Sequence, residues 1–217
     1  MEGIIFKVQP YQEHSRLLFV YTNRGKVTLL AQGAQKVNHA SRILSQFLTH
    51  IDFKEGKKSF YPLQEGKIIH DFHEIKNDFQ LTKYAALMLE IVDHLVVENA
   101  DHSLIFNELI LALKSPFIDL SALSFSLKMI NLLGYGMDLS PDGRKVKGVS
   151  IEKGSLVYQG EADQIDLDTK DAITLLKLSV MPYSSLDQSL NEHLDKIKEF
   201  ILKYYSYHLQ TTLKNLQ

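Results

Sequence analysis

Over the first third of the chain, apolar and polar residues fall into short runs with a period near two. Ile4-Ile5-Phe6-Lys7-Val8, Arg16-Leu17-Leu18-Phe19-Val20-Tyr21 and Lys26-Val27-Thr28-Leu29-Leu30-Ala31 are rich in β-branched and aromatic types, which suit a pleated, half-buried surface. Asn23-Arg24-Gly25 between the second and third runs predicts a tight hairpin, because glycine reaches positive φ without a Cβ clash. Further strands are expected over 49–54, 58–63 and 67–72, separated by Glu55-Gly56-Lys57 and Gln64-Glu65-Gly66. Five or six short strands in so few residues point to a small closed or half-closed barrel.

Past Phe79 the period lengthens to about 3.6. Leu81, Tyr84, Ala85, Met88, Ile91, Val92 and Leu95 fall on one helical face, with Asn77 or Asp78 as the cap. A second helix is expected over 103–113, stopped by Ser115-Pro116. A third is expected over 120–133, with Leu120, Leu123, Leu127, Ile130 and Leu133 near the seam and Gly134 ending it. Ser140-Pro141-Asp142-Gly143 reads as a turn, and the segment around Lys153-Gly154 as a hairpin spanning about 146–160. Helical pattern resumes over 168–180 and from 186 to about 213. The fold class is therefore α+β: a β-barrel domain over 1–78, of the OB type, followed by a mostly α-helical domain over 79–217 with a small β-hairpin insertion. Barrels of that type commonly hold single strands in a basic groove with aromatic side chains for the bases.

Composition adds exclusions. Of 217 residues 45% are hydrophobic and 23% charged, which is enough apolar content for a core. With no cysteine, a disulfide framework, a thiolate zinc site and a cysteine nucleophile are all ruled out, and a reducing, cytoplasmic setting is expected. The opening residues lack the basic and apolar segments of a signal peptide, and a membrane span is not expected.

The net charge of −2 hides an uneven distribution. Residues 1–60 hold nine Lys/Arg against four acids. The 38 positions from His14 to Ile51 hold no acid, where 26 acids in 217 residues lead one to expect about four or five. That stretch keeps Arg16, Arg24, Lys26, Lys36 and Arg42, with His14, His39 and His50. A cationic, carboxylate-free segment suits a polyanion, since each neutralised phosphate releases counterions. The alternative is a basic face that pairs with the more acidic remainder or sits in water. Charge alone leaves both open.

Signatures of chemistry are missing. There is no P-loop spacing, no dinucleotide glycine pattern, no Gly-x-Ser-x-Gly elbow and no zinc-protease histidine pair. His70-Asp71-Phe72-His73 comes nearest to a metal pair, but on a strand this spacing sends the imidazoles to opposite faces. His94 and His102 are expected at helix ends facing solvent, and Asp52 with Glu55 in a solvated loop. No enzymatic activity, cofactor or metal is expected.

The ordered motifs resemble a known family. Gly3-Ile4-Ile5-Phe6-Lys7-Val8-Gln9-Pro10-Tyr11-Gln12-Glu13-His14-Ser15-Arg16-Leu17-Leu18 resembles the opening strand, tyrosine-centred turn and basic start of the second strand in RecO-type recombination mediators. Arg24 to Lys36 is similar to that family's Gly-Lys-x-x-x-x-Ala-x-Gly-Ala-x-Lys segment. Ser41-Arg42-Ile43-Leu44-Ser45-Gln46-Phe47 is similar to its Ser-Arg and Leu-Gln-Pro-Phe run, and 125–135 to its helix ending in Leu-Gly-Tyr. The resemblance implies an N-terminal OB-fold, a helical C-terminal domain and a non-enzymatic, bacterial, nucleoid-associated role in DNA repair. It implies binding to single- and double-stranded DNA, strand annealing, and contacts with RecR and the acidic tail of single-stranded DNA-binding protein (SSB) in loading RecA. Carried over by position, Lys7, Arg16, Arg24, Lys26, Lys36 and Arg42 are the expected phosphate contacts, and Phe125, Lys128 and Leu132 the expected partner contacts. Phe19 and Tyr21 share one strand face, where they either stack on bases or fill the barrel core.

The chain departs from the family pattern in three places. The paired cysteines that hold a structural zinc after Leu-Gly-Tyr in many members are absent, so packing alone is expected to hold 136–160, without zinc. The basic pair that often precedes the helix phenylalanine is replaced by Leu123-Ser124, which leaves Lys128 to receive an acidic tail. The C-terminus keeps only part of the family's basic end. A different reading therefore stands beside the mediator: a protein-interaction adaptor in a repair complex whose basic segment docks an acidic partner instead of DNA.

Overall fold

The computed structural model describes residues 1–36, 41–192 and 194–217. They form two compact units, Met1–Glu108 and Leu109–Gln217. In the first, strands β1 (Glu2–Tyr11), β2 (Ser15–Thr22), β3 (Gly25–Ala31), β4 (His50–Asp52), β5 (Phe60–Pro62) and β6 (Lys67–His70) form one curled sheet, a half-barrel ordered β5-β3-β2-β1-β4-β6. All neighbours are antiparallel except β3 and β5. The expected OB-type barrel is present in this half-closed form. Ile5, Leu18, Val20, Leu29, Ala31, Ala34, Ile51 and Phe53 make its core.

The β2–β3 turn is the two-residue hairpin read from the sequence. Gly25 sits at φ +109, and Thr22 Oγ1 donates to its carbonyl at 2.8 Å. In β1 the simple alternation breaks. Ile5 pairs with Val20 and Lys7 with Phe19, so Phe6 is an extra residue, a β-bulge. The bulge lets Ile4, Ile5 and Phe6 all be buried while Lys7, Gln9 and Tyr11 face out.

Three helices accompany this sheet: α1 (Ser41–Leu44), α2 (His73–Lys76) and α3 (Phe79–Leu95). Asp78, one of the two expected caps, accepts from the Gln80 and Leu81 N–H groups at 2.8 and 3.0 Å. The strands end at His70, yet α3 and the first half of α4 (His102–Leu113) belong to the same compact unit. The physical reason is the outer face of the sheet near the hairpin. Ile4 and Tyr21 point away from the barrel core, and burying them takes a second layer: Phe106 and His102 of α4 stack against Tyr21 at 6.2 and 5.8 Å.

The second unit is built on α5 (Ile118–Leu132), whose residues 120–127 are buried on every side. Leu120, Leu123, Leu127 and Ile130 pack as the seam predicted, and Leu133 at the helix end is half-buried. Three serines share this buried stretch, and each is satisfied: Ser121 Oγ donates to the Ala112 carbonyl, Ser124 Oγ to Leu178 at 2.7 Å and Ser126 Oγ to Ala122. The helix ends at Gly134, φ +85, where the Tyr135 N–H returns to the Ile130 carbonyl.

Around α5 lie strands β7 (Val146–Ser150), β8 (Ser155–Tyr158) and β9 (Leu167–Asp168), and helices α6 (Thr169–Val180) and α7 (Leu194–His208). The single helix expected from 186 to about 213 is instead a 3-10 turn, Gln188–Asn191, followed by α7, which ends at His208; another 3-10 turn, Tyr183–Ser185, precedes that range. Asp187 accepts from the Ser189 N–H at 2.8 Å, a local bond that competes with helix propagation.

Packing alone does not hold the segment after Leu133. Glu161 accepts from Lys153 Nζ at 2.7 Å, from Arg144 Nη1 at 2.8 Å and from the Tyr158 N–H, while Arg144 also pairs with Asp142 and lies 3.9 Å over the Tyr158 ring. Each exposed pair is weak alone, but these share their partners as a network.

Two predictions follow this packing. Replacing Asp78 by Ala removes two capping bonds and is expected to destabilise the protein by about 1 kcal/mol, read by chemical denaturation. The Lys153 bond, then the Tyr158 N–H and Arg144, hold the Glu161 carboxyl down at about 2. Because the folded value lies below the ordinary one near 4.5, the stabilisation is complete above about pH 4.5 and lost as pH falls toward 2. Glu161→Gln is therefore expected to lower the melting temperature at pH 7 and to flatten its fall between those limits.

Candidate nucleic-acid interface

The six basic residues expected to meet phosphate divide between two ends of the sheet. At one end the tip of the β1–β2 hairpin meets the turn after β3. The Gln35 N–H donates to the His14 carbonyl at 3.0 Å, and Gln35 Nε2 donates to Ser15 at 2.6 Å and Gln12 at 3.2 Å. These bonds hold exposed Lys36 beside the hairpin tip. Arg16 opens β2 there, and its Nη1 donates to the Ser45 carbonyl at 3.2 Å, just past α1, which carries exposed Arg42. Arg16, Lys36 and Arg42 thus gather at one end from three separate stretches of the acid-free segment. Lys7 stands on the outer face of β1, exposed, with Nζ 5.2 Å from the centre of the Phe19 ring. His39, also counted in that stretch, lies outside the described residues.

At the opposite end the cations are engaged. Arg24 Nη1 reaches both Glu55 carboxylate oxygens, at 2.9 and 3.0 Å. Lys26 Nζ donates to the main-chain carbonyls of Asp93 at 2.6 Å and Val96 at 3.2 Å, closing the C-terminal end of α3. A cation suits that position because the last carbonyls of a helix have no partners of their own and carry the negative end of its dipole. Partial burial pushes the Lys26 pKa down, against a smaller upward pull from Asp93. In this conformation Lys26 joins the sheet to α3.

Tyr21 is fully buried and fills the layer under α4, while Phe19 one row away is half-buried. The Tyr21 hydroxyl lies 3.2 Å from His102 Nδ1, and His102 Nε2 lies 3.0 Å from the Glu98 carbonyl. A carbonyl only accepts, so Nε2 carries the hydrogen, and in the neutral ring Nδ1 accepts from the hydroxyl. Burial, and secondarily Asp101, push the Tyr21 pKa well up. His102 therefore does not simply face solvent as its helix-end position predicts, because it completes a buried tyrosine's hydrogen bond. His94 is exposed in the last turn of α3, as expected.

Among the described residues no three His, Asp or Glu side chains converge as metal ligands do. His70 Nδ1 accepts from the Phe72 N–H, and His73 Nε2 lies 2.9 Å from Asn77 Nδ2, so both rings serve the turn into α2.

On α5, Phe125 is completely buried and offers no surface to a partner in this conformation. It lies on the side of α5 away from the Leu123 and Leu127 seam and is buried because residues 120–127 are enclosed all round. Leu132 is exposed, and Lys128 lies 3.8 Å over the Tyr183 ring. Leu123-Ser124 are core residues as well, so no docking cation belongs at that point of this helix.

Two further cations beside β5, Lys57 and Lys58, were not singled out from the sequence. Both are exposed on the approach to β5. Their adjacency to Phe60-Tyr61 was the available signal, since cations interleaved with aromatic residues mark strand-binding surfaces.

A model of the family described as Recombination protein O N terminal matches residues 1–72, and one described as Recombination protein O C terminal matches residues 76–217. The chain is 30% identical over 142 residues to the DNA repair protein RecO of Clostridium perfringens, an alignment covering 62% of this chain and 58% of that one. It is 30% identical over 140 residues to the Bacillus mycoides protein of the same name, covering 62% and 56%, and 29% identical over 140 residues to that of Acetivibrio thermocellus, covering 61% and 56%. The aligned stretch thus spans less than two thirds of each relative's own length. Matched by the family's N-terminal half on its half-barrel and by the C-terminal half on the rest, the chain belongs to the RecO family of recombination proteins.

Proposed function

We propose that the protein is a DNA repair and recombination mediator that binds single- and double-stranded DNA through the half-barrel. It anneals complementary strands and helps load a RecA-type recombinase onto DNA coated by SSB, with RecR and the acidic tail of SSB as partners, and no bond-making chemistry of its own. The observation that carries the reading is the gathering of Arg16, Lys36 and Arg42 at one end of the sheet, from a 38-residue stretch without a single carboxylate. Family membership and the name shared by the relatives support it.

Lys7, Arg16, Lys36 and Arg42 are the primary phosphate contacts in this reading. Arg24 and Lys26 contribute only if they exchange Glu55 and the α3 carbonyls for phosphate. On the helical side, exposed Leu132 and neighbouring Lys128 are the partner-facing positions, with Phe125 supporting them from beneath. The commitment of Arg24 and Lys26 to internal partners favours a second reading, the adaptor whose remaining cations dock an acidic protein.

Titration of labelled single- and double-stranded oligonucleotides at about 50 and 200 mM salt, followed by anisotropy, separates the two. A mediator with several phosphate contacts loses orders of magnitude in affinity over that range. Replacing Lys36 and Arg42 together by Ala is expected to weaken binding to all sequences alike and to make the single-strand salt slope shallower by about 1.4, two contacts at about 0.7 each. Absence of binding by the unmodified protein at the lower salt sinks the mediator in its direct form and leaves the adaptor.

A further inference from the structure

Residues paired across neighbouring strands carry their side chains on the same face of a sheet. Lys7 pairs with Phe19, Phe19 with Thr28 and Thr28 with Phe60, so these four form one lateral row across β1, β2, β3 and β5. The row faces outward. Its sequence neighbours Leu18, Val20 and Leu29 are wholly buried in the barrel core, and Tyr61, next to Phe60, packs against that core from the same side.

The adjacent row on the hairpin side, Ile4, Tyr21 and Lys26, is covered by α3 and α4. The Phe19 row is the next one beyond the helices: Lys7 and Phe60 are exposed, Thr28 is half-exposed, and the half-exposed Phe19 ring lies 6.3 Å from Phe6. Phe60 is 50% exposed on β5, which is an edge of the sheet. A large apolar ring left half in water gives up burial that the core would reward. Thr28, a short side chain, lies between the two rings, whose strands are two spacings apart, about 10 Å. Lys7 flanks the row at one side, and exposed Lys57 and Lys58 precede Phe60 at the other. The row itself contains no carboxylate, and nearby Glu55 is paired with Arg24.

We propose that this row is a stacking track for single-stranded nucleic acid. Phe60 and Phe19 take bases, and Lys7, Lys57 and Lys58 take the flanking phosphates, an assignment that rests on the DNA-binding reading above. Open rings select single strands because the bases of a duplex are already stacked on one another, whereas every unpaired base offers a free face. The edge position of β5 leaves the track open at one side for the strand to enter.

The chain contains no tryptophan, so Phe60→Trp installs a sole indole in the track. Titrating this variant with a thymidine oligonucleotide and with a duplex, while measuring affinities of the unmodified protein and Phe60→Ala at two salt concentrations, tests the assignment. The expected result is quenching of the indole by the single strand and not by the duplex. Phe60→Ala is expected to lose about 5- to 150-fold in single-strand affinity, with unchanged salt slope because no charge is removed and with unchanged duplex affinity. Phe60→Leu, which keeps apolar bulk on the edge strand without the ring, is expected to lose as much, and its melting temperature shows whether folding was disturbed. If the unmodified protein binds single strands while the indole stays unquenched and both ring deletions bind normally, the track is overturned and the DNA-binding reading stands. Equal loss of single-strand and duplex binding overturns it too, and no oligonucleotide binding by the unmodified protein overturns both readings.

Discussion

Register through β1, β2 and β3 sorts the N-terminal unit into an inside and two kinds of outside. Because the side-chain period of a strand is two, a slip of one residue would carry Leu18, Val20 and Leu29 into water and bring Phe19 and Thr28 into the core. Two devices hold the register. The two-residue turn at Asn23-Arg24 locks β2 to β3, and the bulge at Phe6 resets β1 so that Lys7 and not Phe6 lies opposite Phe19. The outer face then divides by what covers it: toward the hairpin Ile4 and Tyr21 are buried beneath helix, and away from it Lys7, Gln9 and Tyr11 stand in water.

The same division explains the two fates of the cations. Near the covered end the helix brings its own unpartnered carbonyls, and Lys26 satisfies them; Arg24 finds Glu55 on the loop after β4. Near the other end the chain carries no carboxylate from His14 to Ile51; among the described residues Arg16 donates to the Ser45 carbonyl, and Lys36 and Arg42 are exposed. A polyanion meeting Lys36 and Arg42 at that end displaces mainly counterions and water, beside the exposed Glu13 of the β1–β2 turn, whereas at the β2–β3 turn it must break the Arg24 and Lys26 bonds.

In the helical unit the corresponding constraint is the burial of α5 on every side over residues 120–127. A helix stretch enclosed on every side must hydrogen-bond any hydroxyl it carries, and Ser121, Ser124 and Ser126 do so, Ser124 across to α6. The cysteine-free segment after it is tied by the Arg144, Lys153 and Glu161 cluster, whose members come from the turn at 142–144, the β7–β8 connection and the residues following β8. No one of these stretches announces the cluster by itself.

Much of the fold was legible because its determinants are local. Strand composition, the Asn-Arg-Gly turn, the Asp78 cap and the Gly134 stop each act within a few residues, and the period change near Phe79 marks where strands give way to helices. The 3-10 interruption before α7 escaped because Asp187 and Ser189 compete with a helix only through one short side-chain bond. The charge bias of the N-terminal segment was equally plain, since it is a property of composition. Which cations remain free, which ring of the Phe19–Tyr21 pair is buried, and that Phe125 lies inside α5's packing were decided by tertiary structure alone. The first two depend on Glu55, the α3 carbonyls, Phe106 and His102 arriving within bonding or packing distance from 30 to 85 residues away, and the third on the packing that encloses α5 all round; sequence spacing carries no record of such approaches.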